Sequence, residues 1–408
     1  MPTFTAMHAL LTALCRLPHR GAATPNEREA ARLLAEHLKS RGAAVRLDAF
    51  STPQTYATVI YWINGLLLAG IGLALSGGFL VGQLGLFLGG FALSQAWLYI
   101  NWREASVTRF PGQHRAVNVT AQWPLPATAS ADVDTSTRLH VILMAHYDTA
   151  PISVFHAVKW QKSLRTLFIA TLAMMTSGVL LSAVYTYGGK APVIFWSLVS
   201  IAVYLIVQTV FTTIGYRSRG YANGASDNAT GVVAAIETAD RLRKASRSGA
   251  LPGTLVEVVL PSATAVGLLG SLAYLKKNRA KWPFNGEKTI VINFDTLGAG
   301  KLSVIEQTGT VEVIRYTNAL TSLAGQLVAT PDYSARVQRA SCHSTGFDSV
   351  WFERAGVPTL ALSALDADGT MPRSHRPDDV PERVDEQPME LAIELAEAVV
   401  RHWYEQFH

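Results

Sequence analysis

Histidine and aspartate residues recur in this sequence where the chain leaves an apolar segment. His146 and Asp148 follow the apolar run LHVILMA, and Asp295 ends the segment KTIVINFD. Asp227 lies in the glycine-flanked segment GASDNATG, and His375 lies in the late segment PRSHRPDD. Imidazole and carboxylate groups are side chains that zinc accepts as ligands. Each residue alone is more often a helix cap or a structural group, so a zinc site is predicted from their order and context.

Strands and helices alternate around these residues. Apolar segments with the composition of buried strands are LHVILMAHYD, GTLVEVVLPS, KTIVINFDTLG and VPTLALSAL, and helical spacing recurs in GVVAAIETADRLRKA and VGLLGSLAYLKKN. The alternation predicts an α/β fold with a mostly parallel, twisted sheet flanked by helices. Ligand sites in such sheets gather at the carboxyl ends of the strands, where His146, Asp148 and Asp295 are expected.

These segments resemble the motifs of the co-catalytic zinc aminopeptidases, metallopeptidase family 28, which also includes glutamate carboxypeptidases and glutaminyl cyclases. AHYDT is similar to the His-x-Asp motif of the family, GASDNATGVVAAIE to its bridging-aspartate motif and INFDTLG to its third ligand segment. The remaining similarities are to its opening helix (PHRGAATPNEREAARLLAEHL), to the helix after its Glu-Glu pair (VGLLGS) and to its C-terminal signature (FDSVWFERAGVPTLAL and SHRPDDVPERVD). Six motifs in family order cover the polar parts of the chain almost end to end.

The resemblance implies a role for each candidate residue. Asp227 would bridge two zinc ions, one of which is also bound by His146 and Asp295. His375 and a glutamate would bind the second ion. Asp148 would orient the His146 ring through a hydrogen bond, as carboxylates around metal centres commonly do. The resemblance therefore implies a hydrolase of peptide or amide bonds that holds one or two zinc ions.

Thr264 and Ala265 stand where the family has its glutamate pair, directly before VGLLGS. The first glutamate of the family is the general base and the second is the missing zinc ligand. A threonine hydroxyl is a poor base near neutral pH, and alanine has no donor atom. This chain is therefore expected to be inactive or impaired, unless Asp348, which is also assigned to substrate binding, or Asp378 replaces the base.

Three explanations of the missing pair remain open. The chain is a one-zinc enzyme with a substitute base, or a natural pseudoenzyme that acts as a membrane scaffold or substrate-binding subunit, or an enzyme disabled by engineering at these positions. All the other ligand residues that the resemblance implies are present, whereas drift after a loss of activity usually removes several. The sequence therefore favours an active lineage.

Four apolar stretches predict a membrane component. Hydrophobic residues make up 49% of the 408 residues and charged residues only 16%, and the mean hydropathy is +0.20. Each stretch is close to the roughly 20 residues that cross a bilayer core: 57–77, 78–100, 164–186 and 191–214. Short tips, SGGF and YGGKAP, join them into two transmembrane hairpins, 56–104 and 163–215. These hairpins would divide one α/β domain into the segments 1–55, 105–162 and 216–408.

The distribution of cationic residues predicts the orientation in the membrane. Arg103, Arg109, Arg165 and Arg217 flank the inner ends of the hairpins, whereas the tips carry only Lys190. The positive-inside rule then places both termini and the α/β domain in the cytoplasm, in a multi-pass protein of the inner or plasma membrane. The net charge is only +5 and is scattered, which argues against a nucleic-acid partner.

The position of the second hairpin, between Asp148 and Asp227, predicts that the metal site lies near the membrane surface. The expected substrate is therefore membrane-associated, such as a lipid-linked amide or a peptide end at the bilayer. Soluble peptides are the alternative. The histidines outside the motifs are interpreted as surface or packing groups: His19, His37, His114, His156 and His343.

Overall fold

The structure is a computed structural model that describes residues 2–123, 139–153, 156, 160, 163–282, 288–343 and 345–407. Within these ranges nine strands form one sheet. The strands are β1 (Ala44–Pro53), β2 (Gln113–Gln122), β3 (Leu139–Met144), β4 (Thr254–Leu260), β5 (Thr289–Asp295), β6 (Lys301–Thr308), β7 (Ile314–Arg315), β8 (Gln338–Cys342) and β9 (Thr359–Leu365).

Twelve α-helices are described in the same ranges. They are α1 (Pro2–Cys15), α2 (Pro25–Ser40), α3 (Tyr56–Leu75), α4 (Phe79–Ile100), α5 (Leu164–Tyr187), α6 (Pro192–Arg219), α7 (Thr230–Arg247), α8 (Leu269–Asn278), α9 (Ala319–Val328), α10 (Pro331–Ser334), α11 (Val350–Arg354) and α12 (Gln387–Phe407).

The sheet is parallel at its centre and mixed at its edges. The strand order is β1-β2-β4-β3-β5-β9-β6-β7, with β8 also paired to β6. The central strands β4, β3, β5 and β9 run parallel, whereas β1–β2, β2–β4, β9–β6 and β6–β7 are antiparallel. The predicted mostly parallel sheet is therefore wrong for the edges, because the sequence pattern identified the central strands and not the edge strands.

Alternate residues of the central strands enter two different cores. Val141 and Leu143 of β3 pack in a cluster with α1, α2, α7 and α12. Ile142 and Met144 pack on the opposite face with α8 and α11. Successive side chains of a strand point to opposite faces, so helices cover both faces of the sheet. Both faces are buried, and this fixes the ends of β3 and β5 rigidly.

Among the described residues, α3, α4, α5 and α6 are long and apolar enough to cross a membrane by length and composition. Helices α3 and α4 approach closely at glycines: a methyl group built on Gly70 would lie 2.6 Å from the carbonyl oxygen of Gly85. The four helices share an apolar core that includes Leu67, Leu172 and Leu205.

Ion pairs connect the ends of the apolar helices to the sheet. Arg103, which follows α4, donates two hydrogen bonds of 2.8 Å to the carboxylate of Glu312 between β6 and β7. Arg354 of α11 donates to the same carboxylate at 3.3 Å. The Arg103 hydrogen bonds, with those of Arg354, lower the pKa of Glu312 to about 2. Arg165 of α5 donates to the carbonyl oxygen of Thr310 at 3.0 Å, so both helix pairs are attached to one loop.

Candidate metal centre

Three buried side chains meet at the carboxyl ends of β3 and β5. The His146 Nε2 atom lies 3.4 Å from Asp227 Oδ1 and 3.7 Å from Asp295 Oδ1. One ligand atom from each of the three residues lies within 4.8 Å of the others. β3 and β5 are parallel neighbours, so their carboxyl ends bring His146 and Asp295 together from distant parts of the sequence.

The charges of this cluster favour a bound cation. Burial lowers the pKa of the His146 ring, but hydrogen bonds to Asp148, Asp227 and Asp295 outweigh burial and raise it well above its ordinary range. Burial raises the pKa of Asp227, but His146 and His375 outweigh burial and hold it far below its ordinary range. The carboxylates therefore stabilise positive charge at the point where His146 meets them, and a one-histidine, two-carboxylate donor set suits zinc.

Asp227 is held in position by the segments around it. Its peptide bond to Asn228 is cis, and Ser374 Oγ donates a 2.7 Å hydrogen bond to Asp227 Oδ2. The Asp379 carboxylate accepts hydrogen bonds from the backbone N–H groups of Ser226, at 2.7 Å, and Asp227, at 3.1 Å. Burial, together with the nearby Asp227 charge, raises the pKa of Asp379 to about 7. Asp227 is thus a buried carboxylate in a fixed orientation.

His375 lies on the other side of Asp227. Its Nε2 atom is 3.7 Å from Asp227 Oδ2, whereas His146 approaches Oδ1. The two oxygens of one carboxylate therefore point to two histidines, which is the arrangement of a bridging ligand between two cation positions. His375 adopts a left-handed backbone conformation with φ of 57°.

Asp148 contacts His146 in two ways. The His146 Nδ1 atom is 3.1 Å from the backbone oxygen of Asp148 and 3.4 Å from its carboxylate. The carboxylate also accepts a 3.3 Å hydrogen bond from the Thr264 N–H group. Asp148 therefore lies behind the His146 ring, where the sequence predicts it, and the carbonyl is the closer partner.

Thr264 and Ala265 lie in a single 3₁₀ turn, Thr264–Val266, that follows β4. The Thr264 hydroxyl donates a 2.9 Å hydrogen bond to Asp348 Oδ2. Asp348 is completely buried, and its Oδ1 atom has no hydrogen-bond partner among the described residues. Burial raises the pKa of Asp348 to about 6. The Asp348 carboxylate is therefore hydrogen-bonded to Thr264, the residue at the position of the missing general base.

Asp378, the other candidate for a substitute base, is paired with two arginines. Its carboxylate accepts two 2.9 Å hydrogen bonds from Arg376 and one of 3.1 Å from Arg383. It is also not among the described residues that line the cavity at the cluster. These contacts favour Asp348 over Asp378 as the substitute base, because two arginines near Asp378 in the chain occupy its carboxylate.

A cavity of about 220 Å³ joins the metal cluster to the apolar helices. Its wall contains the ligand residues His146, Asp227, Asp295 and His375 together with Thr264 and Ala265. All four apolar helices also contribute described wall residues, which are Tyr56, Ile60, Tyr99, Ile100, Leu164, Leu167, Phe168, Thr171, Gln208 and Thr212. The candidate metal ligands and residues of the apolar helices therefore line the same cavity.

His156 is a wall residue that sequence reasoning placed outside the site. Its ring centroid lies 4.3 Å from that of His375, at an interplanar angle of 34°. Burial and the neighbouring His375 lower the pKa of His156 well below its ordinary range. No motif contains His156; the one available signal was its position between the His-x-Asp motif and the third apolar stretch.

Comparison with known families agrees with this geometry. The family model described as Peptidase family M28 matches residues 209–400. The matched segment is therefore similar to peptidase family M28. The matched segment includes Asp227, Thr264, Asp295 and His375, and the match supports a peptidase and hydrolase lineage. No match was found among curated proteins.

Solved structures share the fold of this chain. A zinc aminopeptidase from Bacillus subtilis is 14% identical, with a TM-score of 0.54 over 97% of this chain and 93% of that one. A glutaminyl cyclase from Porphyromonas gingivalis is 14% identical, with a TM-score of 0.52 over 98% and 96%. A leucine aminopeptidase precursor from Bacteroides thetaiotaomicron is 12% identical, with a TM-score of 0.51 over 97% and 95%. At these identities the likeness concerns the fold.

Proposed function

We propose that the protein is a membrane-embedded, zinc-dependent hydrolase of amide or peptide bonds, and that its substrate is membrane-associated. The observation that carries the proposal is the continuous cavity, because metal-ligating residues and the apolar helices line the same space. A lipid-linked amide would occupy it with its scissile bond at His146 and Asp295 and its hydrocarbon portion along the helices.

The surface of the four apolar helices supports a membrane location. Large apolar side chains are exposed on all four, including Leu80 at 76%, Leu180 at 61% and Trp196 at 64%. Water-soluble proteins rarely expose continuous apolar areas of this kind. Each helix has the length to span a bilayer, and the arginines at one end orient the M28 domain toward the cytoplasm.

One face of α5 supports the acyl-binding role. Leu164, Leu167, Phe168 and Thr171 line the cavity with the i, i+3, i+4, i+7 spacing of a single helix face. Seven residues of helix span about 10 Å. The wall is therefore long enough to hold part of an extended hydrocarbon chain next to the metal cluster.

His146, Asp227 and Asp295 would hold zinc, which when bound polarises the carbonyl group that is to be attacked. A side chain of the protein has to accept a proton from the attacking water. Thr264 is placed to take that proton on its hydroxyl oxygen while it passes its own hydroxyl proton to Asp348 Oδ2. A carboxylate with a pKa of about 6 is matched to accept a proton near neutral pH.

Replacement of the Thr264 hydroxyl tests this function. Thr264→Val keeps the side-chain shape and removes the relay, so hydrolysis of an acylated aminoacyl amide should fall by roughly 10²–10⁴, the usual contribution of general-base catalysis. Thr264→Ser keeps the hydroxyl and is the matched control. Turnover by Thr264→Val equal to that of the unmodified protein would contradict the relay.

The substrate class is tested by filling the cavity. Ile60→Trp places a larger side chain in the cavity wall, and Leu180→Trp on the exposed face of α5 is its control. Ile60→Trp should raise the KM of a long-chain substrate and leave a short soluble aminoacyl substrate unaffected. Equal activity of the unmodified protein on the acylated and the soluble substrates would contradict the lipid proposal.

The absence of acidic side chains at Thr264 and Ala265 favours a second candidate function. In that case the fold binds a membrane substrate or a partner subunit without hydrolysis. The double substitution Thr264→Glu and Ala265→Glu separates the two functions. Hydrolysis that appears only after this restoration indicates a disabled enzyme, whereas a stable, zinc-loaded and inert variant indicates a scaffold.

A further inference from the structure

Arg20 is a fully buried cation that the proposed reaction does not use. It lies in the opening segment PHRGAATPNEREAARLLAEHL, which precedes the residues that the family model matches. None of its surface is exposed to solvent. Burial of a charged group is costly unless the group is hydrogen-bonded. The partners of this guanidinium therefore indicate which part of the fold it stabilises.

The guanidinium of this arginine donates to backbone carbonyl oxygens of two segments that carry metal ligands. Its Nε atom donates to Tyr147 at 2.7 Å, directly after His146. Its Nη1 atom donates to Asn223 at 2.9 Å and its Nη2 atom to Gly224 at 2.7 Å, in the loop that carries Asp227. Arginine presents its donors in a fixed planar fork. One rigid group therefore joins a strand end and a loop whose ligands would bind the same zinc ion.

The chain around Arg20 contacts the same two segments. The Arg20 N–H group donates to the Thr149 hydroxyl oxygen at 2.9 Å, and the Thr149 N–H group donates to the Arg20 carbonyl oxygen at 3.3 Å. The His19 ring stacks on the Tyr221 ring, with centroids 4.6 Å apart. A methyl group built on Gly224 would lie 2.9 Å from Arg20 Nη2, so the loop fits closely against the guanidinium.

These contacts lie where the second pair of apolar helices leaves and re-enters the α/β domain. Helices α5 and α6 lie between the two segments in the chain. The segments also pair directly, because the Ala222 N–H group donates to the Ala150 carbonyl oxygen at 3.0 Å. Without a bridge at this point, a displacement of the helix pair would change the separation of His146 and Asp227.

We propose that Arg20 is a positioning residue of the candidate metal centre, which holds the His146 and Asp227 segments at the separation that one zinc ion requires. The alternative is a direct electrostatic effect, because the Arg20 charge interacts with the nearby Asp148 and Asp227 carboxylates. The two effects have opposite signs. Loss of a positive charge beside a cation site strengthens cation binding, whereas loss of positioning weakens it.

This inference rests on the metal cluster of the proposed function but not on hydrolysis. The test measures the zinc affinity of the full chain in detergent, stripped of metal with a chelator and titrated with zinc against a fluorescent zinc indicator. Arg20→Gln and Arg20→Lys should each raise the zinc dissociation constant about 10–100-fold, the usual contribution of groups that orient metal ligands. Lysine keeps the charge but lacks the planar fork that reaches both segments.

The same two substitutions at Arg354 are the matched control. Arg354 also donates to a backbone carbonyl oxygen, that of Asn101 at 3.0 Å, so its replacement should lower the melting temperature and leave the zinc affinity unchanged. Thr149→Val is a milder variant for the case that the Arg20 variants do not fold. It removes the acceptor of the Arg20 N–H group and should weaken zinc binding, whereas Thr149→Ser keeps the hydroxyl and the affinity.

Three results would overturn the inference. The folded Arg20 variants bind zinc as tightly as the unmodified chain or more tightly, or the Arg354 variants weaken zinc binding to the same extent. In the third, the Arg20 variants do not fold and Thr149→Val binds zinc as tightly as Thr149→Ser. An unmodified chain that binds no zinc would contradict the metal cluster and the inference together. Weakened zinc binding by the variants of a chain that hydrolyses nothing would support the inference and count against the proposed function alone.

Discussion

Replacement of Asp348 by asparagine should make the stability of the protein less dependent on pH. Asp348 is completely buried, and one of its oxygens has no partner among the described side chains and backbone groups. Burial therefore disfavours its ionised form, and the hydrogen bonds from Ser271 and from the Thr264 hydroxyl offset this only in part. Asparagine keeps the shape and can still accept from Thr264, but it cannot ionise.

The magnitude follows from the pKa difference between the folded and unfolded states. The pKa of Asp348 rises from 3.8 to about 6 on folding, and each pKa unit corresponds to about 1.4 kcal/mol. The folded state holds this proton more tightly than the unfolded state. Stability is therefore lost as the pH rises from about 4 to about 6, and the full loss of about 3 kcal/mol persists above pH 6.

The assay compares apparent free energies of unfolding at pH 4 and pH 8 for the metal-free protein in detergent. Asp348→Asn should gain about 3 kcal/mol relative to the unmodified protein between the two pH values, whatever its pH-independent packing cost. Metal must be absent, because a cation in the cluster lowers the pKa of nearby carboxyl groups. Asp332→Asn on the exposed part of α10 controls for the loss of one negative charge.

An Asp348→Asn variant whose stability difference from the unmodified protein is the same at pH 4 and pH 8 would refute this reasoning. That result would mean that Asp348 is solvated or paired in the folded protein. It would also remove the basis for a proton relay through Thr264, because a base with an ordinary carboxyl pKa gains little from the hydroxyl. A pH-dependent gain together with loss of hydrolysis is the expected combination, since active-site charges commonly reduce stability.

Two further predictions concern the apolar helices and their attachment. Gly70→Ala would place a methyl group 2.6 Å from the Gly85 carbonyl oxygen and force α3 and α4 apart, so thermal unfolding should show a stability loss of about 1–3 kcal/mol. Gly72→Ala is the control and should change the stability little, because its methyl group meets no described atom within 4 Å. Equal stability losses in the two variants would contradict the close helix contact. Glu312→Gln should lower the melting temperature more at pH 7 than at pH 3. A carboxyl group whose pKa is depressed by folding stabilises the fold above its unfolded pKa, and this stabilisation is lost as the pH falls toward about 2. A larger decrease of the melting temperature at pH 3 would exclude the Arg103 ion pair as the cause.

The parts of the site that follow from local pattern could be predicted from the sequence. His146 and Asp295 end buried strands, and parallel central strands bring such ends to one edge of the sheet. Asp227 and His375 were located by family motifs rather than by spacing, because a turn and a late loop have no period. The structure brings all four residues together as the resemblance implies, and their roles as ligands stay predictions.

The contacts that sequence could not supply are long-range ones. Thr264 and Asp348 are distant in the chain, and their hydrogen bond depends on how the turn after β4 packs against α11. The same limit applies to His156, which lies beside the His375 ring in the cavity wall. Asp378 shows the converse, because the two arginines that pair with its carboxylate are close to it in the sequence, in the segment RPDDVPER.

The pairing of β1 with β2 has a consequence for how the molecule is built. These strands are in antiparallel register along their whole length, from Ala44 opposite Gln122 to Pro53 opposite Gln113, and α3 and α4 lie between them in the chain. Topologically the first helix pair is the loop of a β-hairpin, and lengthening a loop costs only about 0.6 kcal/mol per doubling. The helices provide cavity wall, whereas His146, Asp227, Asp295 and His375 all lie outside them. In the proposed function, substrate selection and cleavage would therefore depend on separate stretches of chain, and one could change in evolution or in the laboratory while the other is kept.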